Sequence, residues 1–266
     1  MTLITAIIIS YNEASRIAAC LKSLEGIADE IVVVDNGSTD GTQDIANSLG
    51  ATVFQQDWLG YGPQKNFAIS KSNYDWVLQI DCDEQLDETL RQSIINLKHN
   101  GMSGAYEIPF LHNYYGKFIR HGLQFPDKKL RLWNKKDFIW DDKRVHESLM
   151  VPLGFKLTKL KGCMLHYSYI SLEQHIAKSN RYSTEGAQQL FSKGKKNYWW
   201  KIWISPFFTF INAYFFRLGL LDGWHGLVIA KMEATTTFMK YAKLWELCKE
   251  NRRPLTADGR RSTVDS

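Results

Sequence analysis

Asp81 and Asp83, with Cys82 between them, follow directly on the apolar run Trp76-Val77-Leu78-Gln79-Ile80. Two carboxylates this close together, where a strand ends and the chain leaves a sheet, can both turn toward one divalent cation, and hard oxygen donors suit magnesium or manganese. A cation bridging two phosphates at that point neutralises the charge that builds as a diphosphate departs, so the chemistry on offer is Lewis-acid activation of a leaving group. An Asp-x-Asp triplet also occurs as an ordinary solvated acidic loop, and its neighbours must decide between the two.

Two further polar clusters follow apolar runs. Asp35 ends Glu30-Ile31-Val32-Val33-Val34 and opens into Asn36-Gly37-Ser38-Thr39-Asp40-Gly41-Thr42. An acid there can accept from a base or a ribose, whereas Asn36-Gly37 makes a tight turn and Ser38, Thr39 or Asp40 can cap the next helix. Ser10-Tyr11-Asn12-Glu13 ends the first run. It is suited to framing a nucleobase with Tyr11 and a ribose with Glu13, or simply to starting a helix.

The elements that must position these clusters alternate. Leu3–Ser10, Glu30–Asp35, Ala51–Gln55 and Trp76–Asp81 read as buried strands, and Ala14–Leu24, Thr42–Leu49 and Gln64–Ser70 as the helices between them. Such alternation predicts a mostly parallel sheet with right-handed crossovers, in which ligands bind beyond the carboxyl ends of the strands. All three clusters lie at such ends. A helix from about Asp87 to Lys98 then gives way to shorter strand-like pieces at Gly104–Leu111, Lys129–Trp133 and Lys161–His166, a mixed half suited to a second substrate. A long helix over Ser171–Lys193 precedes the aromatic and basic stretch Lys193–Phe216, and the polar segment Lys249–Ser266 reads as a disordered tail.

The 266 residues are 44% hydrophobic, enough for a sizeable core, and 13% aromatic, with the rings gathered late in the chain. The uncharged run Ile202–Phe216 is interrupted by Pro206 and Asn212 and falls short of the ~20 residues that span a bilayer. Lysines beside Trp199, Trp200 and Trp203 suit contact with an anionic membrane surface, the alternative being a helix buried against the domain. Cys20, Cys82, Cys163 and Cys248 form no close pair, and the N-terminus has no basic region before its apolar run, which together predict a cytoplasmic protein. The net charge of +5 and the lack of any recognition motif argue against nucleic acid. Phosphate-loop, serine-hydrolase, zinc-protease and dinucleotide-binding signatures are missing.

Taken in order, Ile9–Glu13, Val34–Thr42 and Asp81-Cys82-Asp83-Glu84 resemble family 2 glycosyltransferases over roughly the first hundred residues. The resemblance implies the α/β GT-A fold, Rossmann-like with a mostly parallel central sheet, here carrying a C-terminal helical, aromatic-rich extension. It also implies a nucleotide-sugar donor, a divalent metal (Mg or Mn) and inversion at the anomeric carbon. Carried over, it gives Asp35 to the nucleoside, with Ser10, Tyr11, Asn12, Glu13 and Ser38 beside it, Asp81 to the nucleotide-sugar and Asp83 to the metal. Lys65 stands where the family often has a basic residue near the donor, although it would serve equally as an exposed helix lysine.

Leu130-Arg131-Leu132-Trp133, Val145-His146-Glu147 and Leu165-His166-Tyr167 further resemble small bacterial transferases of the lipopolysaccharide inner core. In that reading Glu147 is the base, with Asp141 and Asp142 as rivals, and His166 either completes the metal shell or is a buried, hydrogen-bonded histidine. The expected layout is a catalytic domain over 1–170 (a nucleotide-sugar half, 1–100, and an acceptor half, 101–170), a helical extension over 171–248 and the tail. The expected reaction transfers a hexose, with UDP-glucose the donor to try first, to a lipid-linked glycan at the inner face of the cytoplasmic membrane. A nucleotidyltransferase of similar fold or a catalytically silent membrane-bound binding protein are the rivals.

Overall fold

The computed structural model describes residues 1–141, 149–152, 154–195 and 199–250. Runs of β-branched residues with no polar alternation have no face to offer solvent, and they become the interior of a sheet. In chain order the elements are β1 (Ile4–Ser10), α1 (Ile17–Ser23), β2 (Glu30–Asp35), α2 (Thr42–Ser48), β3 (Thr52–Gln55), α3 (Tyr61–Ser70), β4 (Trp76–Gln79), β5 (Glu84–Leu86) and α4 (Glu88–Asn100). There follow β6 (Ala105–Tyr114), β7 (Lys117–Phe118), β8 (Asp127–Asn134), β9 (Ile139–Trp140), β10 (Leu149–Met150), β11 (Leu157–Lys159), β12 (Met164–Tyr169), α5 (Leu172–Ser192), α6 (Lys201–Ile211) and α7 (Trp224–Glu250).

The chain forms two compact units, one of residues 1–112 and 126–168, the other of 113–125 and the chain from Tyr169 onward. In the first, the strand order is β3-β2-β1-β4-β8-β6-β12-β5. β1 through β4 pair in parallel, with Ile9 opposite Val34 and Ile7 opposite Gln79. β8 then runs antiparallel to β4, and β6 antiparallel to β8. The result is the mixed α/β fold that the resemblance implies, parallel where the sequence alternates strand and helix and mixed beyond it. Ile4, Ala6 and Ile8 face one core layer with Leu78, Ile80 and Leu132; Ile7, Val32, Val34 and Val77 face another with the fully buried Trp133.

β5 is short but decisive, because it pairs antiparallel with β12 and sets His166 opposite Glu84. The carboxylate of Asp87 fixes that pairing, accepting from the Leu90 N–H at the start of α4 (2.7 Å) and from the Cys163 N–H just before β12 (2.9 Å). Gly162 makes the turn possible: its φ is +88°, and a Cβ there would fall 2.1 Å from the backbone nitrogen of Leu90.

In the second unit α7 packs along both α5 and α6. The chain between α6 and α7 passes through a π-turn at Asn212–Phe216, a left-handed Leu218 and a 3₁₀ turn at Gly219–Asp222. Gly226 lies so tightly on this turn that a Cβ would meet the Gly219 carbonyl at 1.8 Å. The buried Asp222 carboxylate accepts from the backbone N–H groups of Arg120 and His121 at 3.2 and 2.9 Å, pinning the 113–125 segment within this unit. No residue of α6 is buried. Trp203 is 69% exposed, Phe207 61% and Phe216 78%, so the outer face of this stretch is not a core face. Lys249 and Glu250 belong to α7, and the rest of the expected tail lies outside the described residues.

Candidate active site

At the ends of β1 and β2 the two loops are laced together. The Asn12 N–H donates to Ser38 Oγ (2.8 Å), Asn12 Oδ1 accepts from the Thr39 N–H (2.9 Å), and the Glu13 N–H donates to Thr42 Oγ1 (2.8 Å). Asn12 takes a left-handed φ of 54° to turn the chain out of the strand. Asp35 is enclosed: Ser10 Oγ, Ser38 N–H, Ser38 Oγ and Gln43 Nε2 all donate to it at 2.6–2.7 Å. Burial alone would raise its pKa, but these donors outweigh it and hold the carboxyl below its usual range. Asp35 therefore fixes the loop that carries Ser38, while Tyr11 is exposed beside it.

At the end of β4, Cys82 turns into the core and its two flanking carboxylates stay half-buried. Behind them, on β8, lies the buried Arg131, whose Nη2 donates to Asp81 Oδ2 (2.9 Å) and to Glu84 Oε1 (2.6 Å). The other Glu84 oxygen accepts from the Asp81 N–H at 3.0 Å. Burial opposes the charge on Asp81, yet the Arg131 guanidinium and the nearby Lys65 ammonium hold its carboxyl well below the carboxylate range. Glu84, fully buried beside Asp81, is pushed up, with Arg131 offsetting only part of the effect. Lys65 is itself buried, its Nζ 4.2 Å from the centre of the Trp140 ring.

Asp83, Glu84 and His166 bring three ligand atoms within 4.8 Å of one another. His166 Nε2 is 3.3 Å from Asp83 Oδ2, close enough for both to serve one cation. Both Glu84 oxygens are engaged within the chain, which leaves the part-exposed Asp83 and His166 as the available donors. Glu13 adds charge nearby: burial raises its pKa and so do Asp83, Asp40 and Asp81, with Arg16 opposing. A concentration of acids around a carboxylate and an imidazole donor fits a divalent cation.

The sequence model described as "Glycosyl transferase family 2" matches residues 5–155, more than half of the chain and all three clusters. The chain belongs to this family. An uncharacterized glycosyltransferase of Rickettsia typhi is 37% identical over 268 residues, covering 97% of this chain and 92% of that protein. The lipopolysaccharide core biosynthesis glycosyltransferase LpsC of Rhizobium meliloti is 32% identical over 272 residues, covering 96% of both. Among solved structures, S. aureus TarS 1–349 in complex with UDP superposes with a TM-score of 0.48 and 16% identity, over 97% of this chain and 95% of that one.

In this family 2 glycosyltransferase the described structure gathers Ser10, Tyr11, Asn12, Glu13, Asp35 and Ser38 at one sheet edge, with Asp81, Asp83, Lys65 and His166 beside them in the same unit. Lys65 is not the exposed helix lysine that its position on α3 also allowed. Glu147 and its rival Asp142 lie outside the described residues. The flanking Trp140 and Leu149 pair, and Asn66 of α3 holds Trp140 through both its backbone N–H and carbonyl. Sequence reasoning missed Glu84 and Arg131, which close the cluster around Asp81. An arginine amid the apolar residues of β8 was the available signal, since a buried guanidinium requires acidic partners.

Proposed function

We propose that this glycosyltransferase is an inverting hexosyltransferase taking its sugar from a UDP-linked donor, UDP-glucose first, with a divalent cation in its site. The observation that carries the reading is the convergence of Asp83 and His166, 3.3 Å apart, beside the Asp81–Arg131–Glu84 cluster. Asp83 and His166 would hold magnesium or manganese, and the bound cation supplies charge neutralisation to the departing diphosphate. Tyr11, Asn12, Glu13 and Ser38 line the nucleoside side, on loops that Asp35 and Ser10 fix. Asp81, kept ionised by Arg131 and Lys65, accepts from donor hydroxyls, and Lys65 brings a positive charge toward the phosphates. Glu147 removes the proton from an acceptor hydroxyl as its oxygen attacks the anomeric carbon. The bond to the phosphate oxygen breaks on the opposite face, giving the inverted product. Catalysis belongs to residues 1–170, and 171–248 serve as the membrane-associating extension.

A lipid-linked glycan, of the lipopolysaccharide core, is the acceptor class. The R. meliloti relative acts in lipopolysaccharide core biosynthesis by its name. Among the described residues no helix is long and apolar enough to cross a membrane, yet Trp199 and Trp203, on either side of Lys201, and Phe207, Phe208 and Phe216 beyond them are exposed. Rings of this kind settle at a lipid–water interface, so the enzyme sits peripherally on the inner face of the cytoplasmic membrane. A panel of nucleotide sugars, assayed with and without Mn²⁺ for release of nucleoside diphosphate, tests the reading. Metal-dependent UDP release is expected; pyrophosphate release would instead identify a nucleotidyltransferase, and no release from any donor a binding protein.

A further inference from the structure

His166 is the near end of a line of polar groups that runs away from the cation-binding edge. Its Nδ1 faces Nδ1 of the buried His112 on β6 at 2.9 Å, and His112 Nε2 faces Asp127 Oδ2, at the start of β8, at 3.1 Å. Ser168 Oγ lies 3.1 Å from both facing nitrogens, and Lys129 Nζ is 3.6 Å from the same Asp127 oxygen. All of these residues belong to the first unit.

The protons in this line can be assigned from its far end. An ionised carboxylate only accepts, so His112 Nε2 carries a hydrogen. A neutral imidazole has one donor and one acceptor, which leaves His112 Nδ1 as an acceptor. The nitrogen facing it, His166 Nδ1, then carries a hydrogen, and Ser168, which both donates and accepts, fits this pattern in either role. In neutral His166 the other nitrogen, Nε2, then carries a lone pair aimed at Asp83 Oδ2 across 3.3 Å; a second proton there would instead pair with Asp83 and would have to leave before a cation could bind. A lone pair facing a carboxylate oxygen is repulsive unless something positive lies between them.

We infer that His112 and Asp127 are positioning residues that lock His166 in the tautomer whose Nε2 lone pair, together with the Asp83 carboxylate, receives the divalent cation. The inference rests on the metal-assisted reading above. Outer partners of a ligating histidine fix ring orientation and tautomer, and losing them commonly weakens metal binding roughly 10- to 100-fold.

The test needs no turnover. Histidine-labelled ¹⁵N spectra of the full-length wild type, free of metal and at a pH where His166 is neutral, are expected to show it protonated at Nδ1; a neutral His166 protonated at Nε2 instead overturns the inference. In parallel, Mn²⁺ binding in the presence of UDP is followed by electron paramagnetic resonance in Asp127→Ala, His112→Phe and His112→Gln. Asp127→Ala frees His112 to donate toward His166, and His112→Phe removes the acceptor, so each should weaken Mn²⁺ roughly 10- to 100-fold. His112→Gln keeps an amide oxygen as acceptor and should retain more affinity than the phenylalanine variant. Folded Asp127→Ala and His112→Phe proteins that bind Mn²⁺ within twofold of wild type also overturn it. If the wild type binds UDP but no Mn²⁺ or Mg²⁺, the metal-assisted reading falls as well, whereas normal wild-type binding with unaffected variants removes only the role of His112 and Asp127.

Discussion

Replacing Arg131 by methionine, close in length and apolar, isolates what the guanidinium does. Its side chain is 6% exposed and that of Glu84 1%, so this pair meets almost no water, while Asp81 at 38% is partly screened and adds less. Removing one partner of a buried pair typically costs about 3–5 kcal/mol, because the remaining charge must be stranded or neutralised. In a chain of this size that corresponds to a fall in melting temperature of roughly 10 °C. Loss of the contact with the Phe110 ring, 5.2 Å from the guanidinium carbon, adds to it. Adding Glu84→Gln to the methionine variant replaces the stranded acid by a neutral amide and should recover roughly 1–3 kcal/mol, a coupling that a double-mutant cycle reads directly. Thermal and denaturant unfolding of the four proteins give the cycle. A loss below about 1 kcal/mol in the single variant, or no recovery in the double, would refute the view that Arg131 neutralises the floor of this site.

Glu147→Gln should leave UDP and metal binding intact and lower kcat by about 10²- to 10⁴-fold, which single-turnover and titration measurements separate. Liposome flotation should carry the wild type with anionic vesicles. Serine at Trp203, Phe207 and Phe216, all exposed and so dispensable for folding, should each weaken binding about tenfold. In the second unit burial pushes His175 down to about 4, whereas an unfolded histidine titrates near 6.5. Between those values the unfolded chain binds the extra proton. Stability is therefore complete above pH 6.5 and falls as pH drops toward 4, by up to ~1.4 kcal/mol per pH unit, and His175→Leu should flatten that part of a melting-temperature profile.

The parallel half was legible because its signals are local. Ile7-Ile8-Ile9 and Val32-Val33-Val34 declare buried strands within a few residues, and the acids at their ends declare the edge where ligands gather. The rest of the site is assembled by pairings between distant segments. Nothing near Glu84 states that β12 will lie against it, and nothing near Asp127 states that its partner is His112. The sequence placed an acid at Asp35 correctly, but not the four donors that enclose it, since Gln43 reaches back from α2. Lys65 reads the same on paper whether it meets water or the Trp140 ring; only the β9–β10 pair packed on α3 decides.

The antiparallel pairing of β5 with β12 has a temporal side. Asp83 and His166 are separated by roughly eighty residues, and such non-local contacts close late in folding. A chain emerging from the ribosome presents the loops that follow β1 and β2 well before His166 has been synthesised. Throughout that interval it lacks one of the two donors proposed to hold the cation, and with it the means to activate a sugar donor. Until that last strand is in place, the proposed cation site is incomplete.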